Sequence, residues 1–239
     1  MTKWIPNWLA EVYSKLFISF RSSPFTVRQA EEAGVKDPQV TLPRLARYGW
    51  IRRIHRGEYI VSEPVVTIIS SFHADWREMV RQQEYVPLLE SILERLLDGY
   101  GQRLKGLILF GSVARGKARP ESDLDLIVVA EGMPERYGDR VRKTLSMLSS
   151  LETIKRETYY KKMALHPNID LILIDKKEFG IPSAFYLDVV MEGIIMFERE
   201  NFIKDTLEKI RTEFKKIGAA RVEHPDGRWH WIIPTARRA

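Results

Sequence analysis

The segment from Leu104 to Val129 constrains this chain more than any other. An apolar run of strand length, Leu104 to Phe110, ends abruptly in Gly111-Ser112. Gly116 and the basic side chains Arg115, Lys117 and Arg119 follow, and a second apolar run, Leu124 to Val129, opens with Asp123 and Asp125. A glycine at a strand end lets backbone approach closely, and a helix starting there would leave free N–H groups as an anion site. Residues two apart on a strand share a face. Asp123 and Asp125 are therefore expected side by side, with Leu124 and Leu126 pointing the other way. Buried and unpaired, two such carboxylates repel strongly. A divalent cation removes the repulsion, and paired oxygen ligands suit magnesium. A lone Asp-x-Asp is ordinarily a solvated strand end; the phosphate-type loop just upstream favours the metal reading here.

The order Gly111-Ser112-Val113-Ala114-Arg115-Gly116, then Ser122-Asp123-Leu124-Asp125-Leu126, resembles the signature of the minimal nucleotidyltransferases of the DNA polymerase beta-like superfamily. The resemblance covers roughly residues 85–200. It implies an α/β fold with a mixed-sheet core and a third carboxylate on a later strand. Asp170, which opens the apolar run Ile169 to Ile174, fits that role. Asp175 competes, but its odd separation from Asp170 puts it on the opposite face and farther along the strand.

The implied chemistry is two-metal transfer of a nucleoside monophosphate with release of pyrophosphate. Asp123 and Asp125 would hold two magnesium ions against the triphosphate. Asp170 would complete the site of the metal that activates the acceptor hydroxyl. Gly111 and Ser112 would bind the leaving phosphates; Arg115 and Lys117 either neutralise the triphosphate or stay solvated, and Ser122 caps or orients the metal strand. ATP is the expected triphosphate, although no base-reading residue is identifiable. RNA, a protein hydroxyl or a small molecule could be the acceptor.

The chain has 239 residues, 44% hydrophobic and 29% charged, which suits a folded protein of one large or two modest domains. No cysteine is present, so disulfides, zinc fingers and thiol nucleophiles are excluded. No apolar stretch is long enough to cross a bilayer. The first residues lack a secretion signal, so a cytoplasmic location without membrane contact is expected.

Residues 7–21 carry apolar side chains at helical spacing. A short helix is expected over Thr26 to Ala33 and another from Thr41 to Tyr48. The latter start is preferred over Asp37-Pro38, because it keeps Pro43 in the first turn. Strands Trp50 to Ile54 and Glu58 to Val61 flank an Arg56-Gly57 turn. Helices followed by a basic hairpin resemble a winged helix-turn-helix domain, which implies a helix in a major groove and a wing on phosphates. Arg44, Arg47, Arg52, Arg53 and Arg56 are the candidate nucleic-acid contacts, for RNA or DNA. The same residues could instead form a packing face.

The expected division is a winged-helix domain over 1–63, a connector of uncertain structure over 64–83, a nucleotidyltransferase domain over 84–200, and a C-terminal helix and hairpin over 201–239. Helices are expected over Tyr85 to Leu97 (closed by Asp98-Gly99), Arg140 to Leu151, Phe185 to Met196 and Phe202 to Ile217. Asp188 and Glu192 would share a surface helix face. Arg221-Val222-Glu223 and Trp229 to Ile232 would form a hairpin about Asp226-Gly227, with Trp229 and Trp231 packed on the catalytic domain. His73 and His166, without paired ligands, read as structural, and Arg237 to Ala239 as a loose tail. Two function classes follow: a nucleotidyltransferase enzyme, or a winged-helix regulator whose second domain senses nucleotide or a partner protein, as in toxin–antitoxin pairs. Retention of Asp123, Asp125 and Asp170 favours the enzyme.

Overall fold

A computed structural model describes residues 5–21, 23–70, 76–181, 183–224 and 229–234. The N-terminal module runs α1 (Asn7–Phe20), β1 (Phe25–Thr26), α2 (Val27–Glu32), α3 (Pro38–Arg47), β2 (Ile51–His55) and β3 (Glu58–Val61). Its strands form an antiparallel sheet in the order β1-β3-β2. Thr26 opens α2 with a reciprocal cap: its side chain accepts from the Gln29 N–H, and the Gln29 side chain accepts from the Thr26 N–H.

The third helix starts earlier than expected, at Pro38, and carries Pro43 in its interior. A proline there forfeits one backbone bond, at a cost of up to about 3 kcal/mol. Leu42 and Leu45 are fully buried on the same helix, and each such burial is worth about 1.5–3 kcal/mol. The Thr41 hydroxyl also donates to the Asp37 and Lys36 carbonyls, tying down the first turn.

The described residues of the expected connector include two packed helices. Helices α4 (Pro64–Ser70) and α5 (Trp76–Met79) place Val66, Trp76 and Val80 in the same core as α6 (Val86–Tyr100). That helix ends at Gly101, whose φ of +56° and N–H bond to the Leu97 carbonyl close it, whereas Gly99 lies inside the helix against Met147, where a Cβ would lie 2.4 Å from the sulfur. Beneath α6 lies a four-stranded sheet in the order β6-β5-β4-β7, built from β4 (Leu104–Phe110), β5 (Leu124–Ala130), β6 (Ile169–Asp175) and β7 (Ile194–Glu198). The one-turn helix α7 (Gly111–Ala114) joins β4 to the loop before β5. Helices α8 (Tyr137–Leu148) and α9 (Leu151–Ile154) and a wide π-type turn over Lys155–Met163 lead to β6, which runs parallel to β5; β4 is antiparallel to both neighbours.

Strand alternation sorts the sheet into two faces. Leu107, Leu109, Leu126 and Val128 join the core under α6, whereas Ile108, Ile127 and Val129 pack on α10 (Tyr186–Glu192) and α11 (Phe202–Lys216). The helix expected over Phe185 to Met196 is therefore two elements. Gly193 ends α10, and the apolar run after it becomes β7, paired with β4. At the sheet's other side, the outward carbonyls of Leu171 and Leu173 accept from the Tyr137 hydroxyl at 3.1 Å and the Arg140 guanidinium at 3.2 Å. Strands β8 (Ala220–Glu223) and β9 (Trp229–Ile232) form the C-terminal hairpin. His73, the Asp226-Gly227 turn and the Arg237 to Ala239 tail lie outside the described residues.

The N-terminal module meets the rest through a buried charge. Glu90 of α6 is 1% exposed, forms an ion pair with Arg77 at 2.7 Å, and accepts from Arg52 and from the Glu63 N–H, each at 3.4 Å. Arg52 also donates to Gln83 at 2.9 Å. No helix among the described residues is long and apolar enough to cross a membrane.

Candidate active site

Parallel register sets Asp125 of β5 directly beside Asp170 of β6. Both stand on the sheet face that packs on α10 and α11, since Ile127 and Ile172, two residues on, belong to that core. Asp123 is exposed just before β5, where Asn168 donates to its carboxylate at 3.1 Å. Asp170 thus lies at the same end of the sheet as Asp125. Asp175 lies at the far end of β6, opposite Ala130, and is spent on the N–H groups of Met133 and Lys177 at 2.8 and 3.0 Å.

The turn after β4 is shaped around Asp125. Gly111 has φ +72°, and a Cβ there would lie 1.9 Å from the Asp125 Oδ2 atom. Ser112 donates its backbone N–H to the same carboxylate. Burial pushes the Asp125 carboxyl above the usual carboxylate range, and the nearby Asp170 and Asp123 charges push it the same way; Arg115 and the Ser112 N–H pull it back. This is the electrostatic signature of an acid cluster short of positive charge. Among the described residues no three acidic or imidazole side chains form a ready-made metal cage. Magnesium does not ask for one: it commonly keeps one or two carboxylates and takes its other ligands from water and substrate phosphates. The donor set fits that ion.

The loop before Asp123 is held from several sides. The Ser122 hydroxyl accepts from the Arg119 N–H at 2.8 Å, and the Ser122 N–H donates to the Arg119 carbonyl at 2.9 Å. Gln82 bonds both backbone groups of Ala118, at 2.8 and 3.1 Å, and the Tyr85 hydroxyl reaches the Arg119 carbonyl. The His166 N–H donates to the Pro120 carbonyl while its ring stacks on Tyr160, a structural part as expected. Lys117 is exposed and ties to the loop through its backbone. Arg115 is half-buried and paired with Glu192 at 3.0 Å.

Asp188 and Glu192 are not the solvated helix face anticipated. Asp188 accepts the indole N–H of Trp229 and of Trp231, at 3.0 and 2.9 Å, which packs the C-terminal hairpin on α10. Glu192 accepts from Arg115 and Arg221. Of the candidate nucleic-acid contacts, Arg44, Arg47, Arg53 and Arg56 are exposed on α3 and the wing. Arg52 turns the other way, into Glu90 and Gln83. Sequence reasoning gave no part to Asn168 or Gln82. Asn168 was marked only by its place just before Asp170; Gln82 carried no local signal, because its partner is 36 residues away.

Comparison with known proteins gives five relevant likenesses. A family model described as a nucleotidyltransferase domain matches residues 89–217. A second, described as a transcriptional regulator, AbiEi antitoxin, matches residues 15–62. A Methanocaldococcus jannaschii protein named "Putative protein adenylyltransferase MJ1305" is 33% identical over 135 residues, spanning 54% of this chain and 83% of that protein. Among solved structures, a mutant of the toxin–antitoxin MntA–HpeT is 18% identical, with a TM-score of 0.37 over 53% of this chain and 86% of the other. A tri-AMPylated Shewanella oneidensis HEPN toxin in complex with MNT antitoxin is 19% identical, with a TM-score of 0.32 over 54% and 87%.

Proposed function

The chain belongs to the nucleotidyltransferase-domain family, and from that premise we propose that it moves the adenylyl group of ATP onto a hydroxyl of a protein acceptor. The observation that carries this reading is the in-register pair Asp125 and Asp170 beside a glycine turn built to touch Asp125. The acceptor class rests on the archaeal relative, whose name is that of a protein adenylyltransferase.

Asp123 and Asp125 would hold magnesium, with Asp170 on the acceptor side. Bound there, magnesium supplies charge neutralisation along the triphosphate and a lower pKa for the acceptor hydroxyl. The protein's own work is positional and electrostatic. Asn168 and the Ser112 N–H fix the carboxylates of Asp123 and Asp125. The Ser112 hydroxyl and the Gly111 backbone border the place of the leaving phosphates. Asp170 accepts the proton of the acceptor hydroxyl; that oxygen forms a bond to the α-phosphorus, the α–β bridging bond breaks, and pyrophosphate departs with the bond's electron pair.

The test is incubation with α-labelled ATP, magnesium, and total cellular protein and RNA. Label on protein that the Asp123→Asn/Asp125→Asn double variant fails to add supports the reading. Label on RNA moves the acceptor to nucleic acid, and unchanged labelling by the double variant removes the carboxylate mechanism.

A second proposal concerns residues 1–63, a winged-helix module in our reading. Four arginines stand exposed on α3 and the wing, within the span matched by a transcriptional-regulator family. That placement supports contact with nucleic-acid phosphates. Salt-dependent binding of duplex DNA or RNA tests it, and absence of binding at low salt refutes it.

A further inference from the structure

Arg115 leaves the Gly111–Ala114 turn and is braced by side chains from outside its own loop. Its Nη1 donates to Glu192 Oε2 at 3.0 Å, and its guanidinium stands over the Trp229 ring, 4.8 Å from the centroid. Arg221 approaches that ring at 4.3 Å and donates to the other Glu192 oxygen. Asp188, one turn before Glu192, binds both indoles of the hairpin and so pins Trp229 in place. The side chains of Arg115, Glu192 and Arg221 are 25%, 14% and 18% exposed. A surface ion pair would be worth little and would wander; this one is enclosed by an aromatic ring and a second cation. Glu192 accepts from both Arg115 and Arg221, and Arg221 also pairs with Glu223 at 2.7 Å. Among the described residues Glu192 is the hydrogen-bond partner of the Arg115 guanidinium, which the ring and the carboxylate hold in one direction.

We propose that Glu192 and Trp229 are positioning residues that aim Arg115 at the triphosphate, which makes the C-terminal hairpin part of the nucleotide site. The inference rests on the transfer reading for where the triphosphate lies. A guanidinium presents a planar fork of donors suited to phosphate oxygens, and fixing its direction beforehand removes the entropy cost of ordering it on binding. Lys117 is exposed and has no such brace among the described residues.

The experiment measures two quantities on the full chain: affinity for a magnesium-loaded ATP analogue with a non-hydrolysable α–β bridge, and the KM and kcat of label transfer. Arg115→Ala is expected to weaken analogue binding roughly tenfold, the scale of one lost charge-assisted hydrogen bond. Trp229→Ala and Glu192→Gln should each raise Kd and KM several-fold with kcat within about twofold, and Trp229→Phe should recover most of the loss. In an Arg115→Ala background neither Trp229→Ala nor Glu192→Gln should add anything. Additive effects there, or tighter binding by Glu192→Gln, would overturn the proposal, as would a wild-type chain that fails to bind the analogue. Arg115-dependent analogue binding without label transfer to any acceptor keeps this inference and sinks the transfer reading instead.

Discussion

Replacing Gly111 by alanine should damage the candidate active site through one added methyl group. Two penalties can be separated. Alanine at φ +72° costs about 1–2 kcal/mol of backbone strain wherever it occurs. The new Cβ would also lie 1.9 Å from Asp125 Oδ2, 2.7 Å from its Cγ and 3.1 Å from its Cβ, so the carboxylate has to move. Overpacking of this kind adds about 1–3 kcal/mol. Together they predict a melting temperature lower by roughly 5–15 °C for a chain of this size. A shift of about 1 Å in a reacting group costs roughly 100-fold in rate, so label transfer from α-labelled ATP should fall at least that far at a temperature where the variant is folded. Gly132 supplies the control: φ is +68°, and nothing lies within 4 Å of the point where a methyl group would stand. Gly132→Ala should therefore show the strain alone, about 1–2 kcal/mol, with activity intact. Equal loss of transfer in the two variants, after matching for folded fraction, would refute the contact argument.

Other outcomes follow from the same geometry. Asp170→Asn should reduce transfer by about 100-fold or more, whereas Asp175→Asn should leave kcat near wild type and lower thermal stability, because Asp175 serves the Met133 and Lys177 N–H groups. Glu178, clasped by Arg140 at 2.6 and 2.7 Å, has its carboxyl pulled from 4.5 down to about 2. A depressed folded-state pKa gives stability that is fully present above the unfolded value and is lost as pH falls toward 2. Glu178 is 47% exposed, so the contribution is about 1 kcal/mol; urea titrations of wild type and Glu178→Gln should differ by that amount at pH 7 and converge as the pH falls to about 2. Neutralising Arg44, Arg47, Arg53 and Arg56 should flatten the salt dependence of nucleic-acid binding, and Arg52→Ala should leave that slope alone while lowering the melting temperature, since Arg52 serves Glu90.

The parts of this protein legible in its sequence are those governed by short-range periodicity. Apolar runs of strand length located both strands, Leu124 to Val129 and Ile169 to Ile174, and the parallel pairing of the two puts Asp125 and Asp170 on one face. Local glycine and proline signals were less dependable. Pro43 argued for a late helix start, yet the helix begins at Pro38, which is itself buried, and the Thr41 hydroxyl ties its first turn to the Lys36 and Asp37 carbonyls. Phe185 to Met196 read as one helix because an apolar run of that length suits either element; only pairing with β4 makes its second half a strand. The remaining site residues depend on distant partners. Gln82 on Ala118, Asn168 on Asp123 and the Trp229–Arg115–Glu192 cluster join segments that nothing local brings together.

The capped carbonyls of Leu171 and Leu173 decide how a second polypeptide can approach Asp170. An edge strand ordinarily invites another chain to add alongside it. Here a newcomer would have to displace the Tyr137 phenol and a guanidinium, that of Arg140, already clasped by Glu178. Strand addition at β6 is blocked, which guards the sheet against edge-to-edge aggregation. Under the proposed transfer, a protein acceptor would have to bring its hydroxyl to the end of β6 on a loop or a projecting turn, rather than lie down beside it as a fifth strand.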